Sequence, residues 1–300
     1  MSEASDTVFR ECADCLPPEE AFSLIANGTR LSILEALWRA DSPPVAFSEL
    51  RSAVGMRDSA QFNYHLSKLT DQFVRKTDEG YDLRHAGEKV VRAVIAGSFT
   101  EHPTVDPFPV EGACAWCDGP LEARYDDEML AVVCTDCEQR HGNYSFPPGG
   151  LHDRTDEGVM DAFDQRVRHL HCLAADGVCP ECNGRMRTEI RRGGECCLGG
   201  ALRADHVCGQ CGHALCSTVG LSLLDKSPVV AFYDDHGIDL GTRPYWTLEW
   251  CVRDQHTAVR SEDPLRVEVE TREGGEGLRV TLDDDLNVLE AEREDIGNRT

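Results

Sequence analysis

Apolar residues recur at helical spacing through much of the first hundred positions. Phe62, Leu66, Leu69 and Phe73 stand four, three and four apart, which gives a helix one continuous apolar stripe. At about 100° per residue, Arg57, Gln61, Tyr64 and Lys68 fall on the opposite face, with Ser59 in the first turn and Asn63 on the flank. Asp58, three residues before Gln61, is a capping-box-like start. Upstream, Pro17-Pro18-Glu19-Glu20 opens a helix whose buried side is expected to be Phe22, Ile25 and Ala26. After Asn27-Gly28, Thr29 starts a second helix with Leu31, Leu34, Leu37 and Trp38 facing inward. A short third helix packs Phe47, Leu50 and Val54 and ends at Gly55, and a tight turn then leads into the helix of Arg57 to Lys68. The result is helix, turn, helix. Val74, Tyr81 and Leu83 alternate about Thr77-Asp78-Glu79-Gly80 as a hairpin, and Ala86 to Gly97 forms a last helix through Val90, Val91, Val94 and Ile95.

The period is lost between Ser98 and Ala113, where Pro103, Pro107 and Pro109 mark a linker. Leu121 to Val133 has the length of a short hairpin, and Val159, Met160, Phe163, Val167 and Leu170 predict an amphipathic helix over 153–175. Pro228 to Gly237 reads as a short helix, and Trp246, Leu248 and Trp250 alternate with Thr247 and Glu249 as a half-buried strand. Three alternating runs follow, at Leu265 to Val269, Leu278 to Leu282 and Leu286 to Leu289, separated by Gly274-Gly275 and Asp283-Asp284-Asp285. They predict an antiparallel meander. The acidic turn is expected to be solvated, since it lacks the other ligands of a calcium loop.

Fifteen cysteines change this picture. Cys114-x-x-Cys117 with Cys134-x-x-Cys137, and Cys179-x-x-Cys182 with Cys208-x-x-Cys211, are paired chelating half-sites that let four thiolates surround Zn2+ tetrahedrally. Glycine soon after the second cysteine, in Cys182-Asn183-Gly184 and Cys211-Gly212, suits the tight knuckles of a zinc ribbon, where backbone amides turn toward sulfur. Cys196-Cys197 competes for the second site, but adjacent cysteines chelate poorly. Four-cysteine sites are closed, so both zincs are read as structural. Cys12-Ala13-Asp14-Cys15, in a polar arm over 1–16, is only half a site and reads as free thiols or as part of a metal site completed elsewhere. Cys172, Cys216 and Cys251 are expected as buried small apolar groups, and His141, His152, His169 and His171 as surface or packing residues. No nucleophile, base or open metal site emerges, so no enzymatic activity is expected.

At 300 residues there is room for about two domains. These are an α+β pair: a helix-turn-helix domain over 17–97 and, after the linker 98–113, a zinc-ribbon-containing region over 114–300. Within the latter, ribbon one takes 114–146, ribbon two 179–216 and an α/β tail 217–295. The formal net charge of -24 is a barrier to nucleic acid. It is unevenly spread. Residues 57–92 carry seven bases and six acids, whereas residues 101–300 carry 39 acids and 19 bases. No apolar run approaches the ~20 residues of a bilayer span, and the polar start Met1-Ser2-Glu3-Ala4-Ser5-Asp6 does not read as a signal peptide. A cytoplasmic, reducing location with no membrane partner is expected, which favours metal ligands over disulfides.

The segments Phe22 to Leu34 and Asn63-Tyr64-His65-Leu66-Ser67-Lys68-Leu69 together resemble ArsR-type winged helix-turn-helix transcriptional regulators, in which a similar His-Leu-x-x-Leu ends the recognition helix. The resemblance covers about a third of the chain. The acid excess, with only four lysines, and the C-terminal extension resemble proteins of halophilic archaea. Such regulators are homodimers on double-stranded DNA with dyad-symmetric operators. Their metal-sensing members carry cysteines on the helix before the recognition helix. Here Ser48 to Val54 has no thiol, so sensing at that place is not expected. The resemblance implies DNA contacts from Arg57, Ser59, Gln61, Asn63, Tyr64 and Lys68 on the helix, and from Arg75, Lys76 and Arg84 around the hairpin. Gln61 and Asn63 suit adenine, and the cations suit phosphate. The zinc-held region would then bind an effector or contact the transcription machinery. A winged helix with a zinc ribbon also resembles archaeal transcription factor E, a general initiation factor, although the second ribbon and the meander depart from it. A protein-interaction module with no DNA role is the third possibility.

Overall fold

A computed structural model describes residues 16–193 and 202–297 of the chain. Cys12, Cys15, Cys196 and Cys197 lie outside the described residues. The chain divides in sequence between Thr100 and Glu101 into two compact units, each combining helices with antiparallel sheet.

In the first unit the elements run α1 (Pro18–Ile25), α2 (Gly28–Trp38), α3 (Phe47–Ala53), α4 (Ser59–Leu69), β1 (Val74–Lys76), β2 (Tyr81–Leu83) and α5 (His85–Ile95). Helix α2 is the hub and packs against the other four helices and β2. Its Ile33, Leu34 and Leu37 meet Leu50 of α3, Phe62, Leu66 and Leu69 of α4, and Phe73, Val74, Leu83 and Val91 in one core. The α4 stripe is thus buried as its spacing requires. Hairpin β1–β2 pairs Val74 with Leu83 and Arg75 with Asp82. Reciprocal hydrogen bonds between Val45 and Tyr81, at 2.8 and 2.9 Å, tie the hairpin to the chain entering α3. Gly80 permits that approach: a Cβ there would stand 2.4 Å from the Val45 carbonyl oxygen, at φ +155°.

Two expectations for this unit are corrected. Phe22 is 68% exposed and Ala26 is also exposed; Leu24 and Ile25 are what α1 lays against the core. An eight-residue helix at the edge of a core already filled by α2 covers only a narrow stripe, and Phe22 lies outside it. Trp38 is likewise 37% exposed, with the Arg92 guanidinium 5.2 Å from its ring centroid, while Ile33 takes the inward position.

The second unit opens with a four-stranded meander, β3 (Phe108–Ala113), β4 (Pro120–Asp126), β5 (Met129–Cys134) and β6 (Arg140–Ser145). Residues 108–113, expected to end the linker, are therefore its first strand. Pro109 is tolerated there because β3 is an edge strand, where a missing N–H costs no ladder bond. Helix α6 (Asp156–Ala175) follows, capped by the Thr155 hydroxyl, which accepts from Gly158 N–H. A three-stranded sheet comes next, β7 (Met186–Arg192), β8 (Leu202–Cys208) and β9 (Ala214–Thr218), then α7 (Ser227–Asp235) and α8 (Glu249–Val252). The chain ends in a second four-stranded meander, β10 (Thr257–Glu262), β11 (Leu265–Glu273), β12 (Glu276–Leu282) and β13 (Val288–Asp295).

The strand expected through Trp246, Leu248 and Trp250 is instead a 3-10 turn over Tyr245–Thr247 followed by α8. Burial explains the difference. Tyr245, Cys251 and Val252 are as buried as the two tryptophans, a near-continuous run that a strand with one wet face would not give. The expected meander also gains β10, and its last strand starts at Val288 because Leu286, at φ +62°, belongs to the turn. Asp283 Oδ1 accepts from the N–H groups of Asp285 and Asn287 at 3.0 and 2.8 Å, so the acidic turn is locked by its own backbone.

One apolar core joins both sheets, α6, α7, α8 and the C-terminal meander, through Leu121, Val132, Phe163, Val167, Ala204, Trp250, Val267 and Val280 among others. The ribbons are therefore parts of one unit. Asp164 on α6 is its main polar tie: Oδ1 accepts from Tyr245 N–H at 2.8 Å and Oδ2 from Arg168 Nε at 2.5 Å.

Between α6 and the three-stranded sheet, His171 is 1% exposed, its ring edge-on to Tyr144 at 5.2 Å and 6.0 Å from His206. Neither of its ring nitrogens has a hydrogen-bond partner. Burial, with His206 nearby, lowers its pKa from 6.5 to about 3. The folded state thus binds fewer protons than the unfolded one below pH 6.5, so stability is full above that value and is lost as pH falls toward 3. His171→Leu is expected to gain stability relative to the natural chain between pH 7 and pH 4 in thermal denaturation; a constant difference would contradict this.

Candidate metal centres and the exposed face of the fourth helix

The eight predicted ligands meet in two groups of four. Cys114, Cys117, Cys134 and Cys137 form one, and Cys179, Cys182, Cys208 and Cys211 the other; within each group all sulfurs lie within 4.8 Å. The Sγ–Sγ separations across the half-sites are 3.6 Å (Cys114–Cys137), 3.5 Å (Cys117–Cys134), 3.7 Å (Cys179–Cys211) and 3.5 Å (Cys182–Cys208). A tetrahedron with metal–sulfur bonds of ~2.3 Å has edges of about 3.8 Å, so the sulfurs stand close to the corners that a four-coordinate ion needs.

Strand pairing brings the half-sites together. Leu121 pairs with Cys134, which carries the second pair of the first centre back to the first, and Met186 pairs with Cys208 in the second centre. The four turns that hold the sulfurs are built alike. The first cysteine of each donates its N–H five residues on, to Gly119, Gln139, Gly184 and His213, at 2.8 to 2.9 Å. Its carbonyl accepts from the N–H four residues on, at Asp118, Glu138, Asn183 and Gly212. Those same four residues have φ of +57°, +59°, +59° and +75°. In Cys182-Asn183-Gly184 the left-handed position is therefore Asn183; Gly184 instead donates its N–H to Cys182 Sγ at 3.3 Å. Similar N–H groups of Trp116, Asp136 and Gln210 reach the sulfurs of Cys114, Cys134 and Cys208 at 3.4 Å.

These amides bias the thiols toward thiolate. The Cys208 thiol is lowered to about 6 by the N–H groups of Cys211 and Gln210. Four sulfurs this close cannot all ionise without a cation. At Cys182 the Gly184 amide lowers the pKa, but proton sharing with Cys211 and Cys208 outweighs it and drives the value to about 12. A divalent cation removes that conflict, which fits both donor sets to a soft, four-coordinate metal.

Other candidates fall outside these centres. Cys251 is buried, as expected. Cys172 is half-buried and donates to Asp225 Oδ2 at 2.8 Å, so it is a hydrogen-bonding group and not an apolar one; burial and Asp225 push its thiol to about 12. Lys226 Nζ lies 3.4 Å from Asp176 beside it. His141 is buried with Nδ1 3.1 Å from the Trp246 carbonyl, His152 pairs with Glu101, and His169 is exposed.

In the first unit, α4 opens on Asp58, whose Oδ1 accepts from the N–H groups of Ala60 and Gln61 at 2.8 and 3.1 Å. Arg57, Ser59, Gln61, Asn63, Tyr64 and Lys68 are all exposed, Tyr64 at 55%, with Lys68 Nζ 5.8 Å from its ring centroid. The hairpin differs from expectation in one respect. Its register sets Arg75 opposite Asp82, and the two pair at 2.6 Å; Arg84 donates to the Asp71 carbonyl. Those two cations are engaged inside the unit, whereas Arg57, Lys68 and Lys76 have no ion pair among the described residues. Among those residues, no helix is long and apolar enough to cross a membrane.

Fold and sulfur centres together define an α+β protein of two units, with a pair of four-cysteine groups positioned to bind metal in the second. The chain belongs to the family described as Domain of unknown function (DUF7351), which matches residues 111–288, and residues 18–94 match a second, Domain of unknown function (DUF7347). No curated protein and no solved structure matches the chain.

Replacing one sulfur in either centre leaves three donors and an open position. Cys134→Ser and Cys208→Ser are each expected to lower the bound metal from two ions per chain to one in elemental analysis of the purified protein, and the double variant to none. Full retention of metal by either single variant would contradict the assignment.

Proposed function

We propose that this chain is a sequence-specific, DNA-binding transcriptional regulator. In this reading the first unit is a winged helix-turn-helix domain, α3 and α4 being the helix pair and β1–β2 the wing. The observation that carries it is the division of α4: Phe62, Leu66 and Leu69 fill the core, while Gln61, Asn63, Tyr64 and Lys68 stand free on the outer side. That side lies in the segment 57–92, which escapes the acidity of the chain. Gln61 and Asn63 present paired donors and acceptors that match the adenine edge in the major groove, and Tyr64 packs on a base or phosphate. Lys68, Lys76 and Arg57 hold backbone phosphates; Arg75 and Arg84 contribute after leaving Asp82 and the Asp71 carbonyl.

A homodimer goes with this reading. Phe22 on α1 and Ile95 on α5 are 68% and 55% exposed, apolar positions suited to a second copy. The two four-cysteine groups hold Zn2+ in closed structural sites, which leaves the ions no open position for chemistry. The second unit then serves as the acidic region that receives an effector or contacts the transcription machinery.

In vitro selection from random duplex DNA with the full, metal-loaded chain tests the proposal. Enrichment of a dyad-symmetric sequence is expected. Gln61→Ala with Lys68→Ala should weaken binding to it by tenfold or more, since a good bidentate base contact is worth about 1–3 kcal/mol. A chain that enriches no sequence, or a double variant that binds as the natural chain does, would contradict the assignment. Occupancy of nearly all promoters in a genome-wide map would instead favour a general initiation factor.

A further inference from the structure

The second unit is strongly acidic, yet residues 185–192 hold four arginines against one glutamate. The strand register shows what that run does. Residues 187, 189 and 191 of β7, with 185 just before it, alternate to the outer side, where Arg185, Arg187 and Arg191 are all exposed, and Met186 and Thr188 point inward. Strand β7 is an edge of its sheet; Arg185, bridged to Val178, and Arg187 stand about 6.8 Å apart, and Glu189 separates them from Arg191. Arg187 pairs in register with Val207 and Arg191 with Arg203, which extends the outer face across β8.

Two features separate this face from a solvated charge run. Arg185 and Arg187 have neither an ion pair nor a side-chain hydrogen bond among the described residues, in a chain with 54 carboxylates. Arg187 also stands where two open grooves meet: one of about 810 Å³ over the outer sheet face, and one of about 640 Å³ that Arg185 and Lys226 share with it. Arg191 is tethered by Glu189 and Asp205, at 2.7 and 3.6 Å, and so joins this side of the strand without being wholly available.

We propose that the outer face of the β7–β8–β9 sheet, led by Arg185 and Arg187, is a second DNA contact that holds duplex phosphates. The partner is a polyanion, because Arg185 and Arg187 offer two unpaired guanidinium donors at successive outward positions, with Glu189 the one acid of β7. Duplex is favoured over single strand because single strands are gripped by stacking on aromatic rings, and no aromatic side chain lines the outer groove. The proposal rests on the DNA-binding reading of the first unit but uses residues remote from it in sequence.

The test uses the full, metal-loaded chain and the duplex recovered by selection. Arg185→Gln with Arg187→Gln should leave metal content and thermal unfolding unchanged, weaken binding about tenfold at low potassium chloride, and reduce the slope of log affinity against log salt by about two, since each phosphate contact contributes roughly 0.9. Binding and slope equal to those of the natural chain would overturn the inference, while loss of binding in the Gln61 and Lys68 variant alone would leave the first reading standing. Binding lost in the arginine variant but kept in the Gln61 and Lys68 variant would uphold the sheet face and sink the helix assignment. A deficit for single-stranded DNA but not for duplex would overturn the choice of partner. A natural chain that selects no duplex would overturn both.

Discussion

Four sulfurs within 4.8 Å of one another are the arrangement on which the second unit depends. Left to themselves they compete for protons, as the split between Cys208 near 6 and Cys182 near 12 records. The backbone has nonetheless committed to holding them. Each of the four turns places one residue at positive φ and aims an amide at sulfur, an arrangement suited to a bound cation. Cys114, Cys134, Cys179 and Cys208 are buried; Cys114, just past β3, and Cys134, at the end of β5, belong to the main apolar core, and Cys179 and Cys208 pack with Ala174 and Met186 in a smaller cluster. Metal centre and core therefore stabilise one another, and the two sheets, α6 and the last meander stand or fall together.

Charge sets the second constraint. A chain at -24 repels DNA unless its cations are gathered where contact is made. In the proposed reading the segment around α4 and the arginines on the outer side of β7 are two such places, and both sit on elements whose opposite side is firmly packed. In α4 the anchoring side is Phe62, Leu66 and Leu69; in the small sheet it is Met186, Leu202, Ala204 and Cys208. A rigid back and a polar front let a surface meet a polyanion without ordering new structure, which keeps the entropic cost of binding low.

Much of this was legible in the residues. The Cys-x-x-Cys pairs were readable because chelation demands a fixed local spacing, and the α4 stripe because a helix has a fixed period. What escaped depended on neighbours remote in sequence. Phe22 has the right period for burial, but the core beside α1 was already filled by α2, and on α2 itself Ile33 takes the inward place while Trp38 stays 37% exposed, so the period overstated what is covered. Trp246, Leu248 and Trp250 alternate like a strand, yet Tyr245, Cys251 and Val252 beside them are also buried, and a short helix satisfies the backbone where no strand partner is available. The side of the sheet to which Arg187 turns was hidden because it depends on the register of β7 against β8. At Cys182-Asn183-Gly184 the left-handed residue is Asn183 and not the glycine, because asparagine also tolerates positive φ.

The most direct measurement is X-ray absorption at the zinc edge on the purified full chain. A single shell of four sulfurs at ~2.3 Å, with two zinc ions per chain, is the expected result. A shell containing nitrogen or oxygen, or a metal-free chain that unfolds at the same temperature as the loaded one, would contradict the claim that paired four-sulfur centres hold the second unit together.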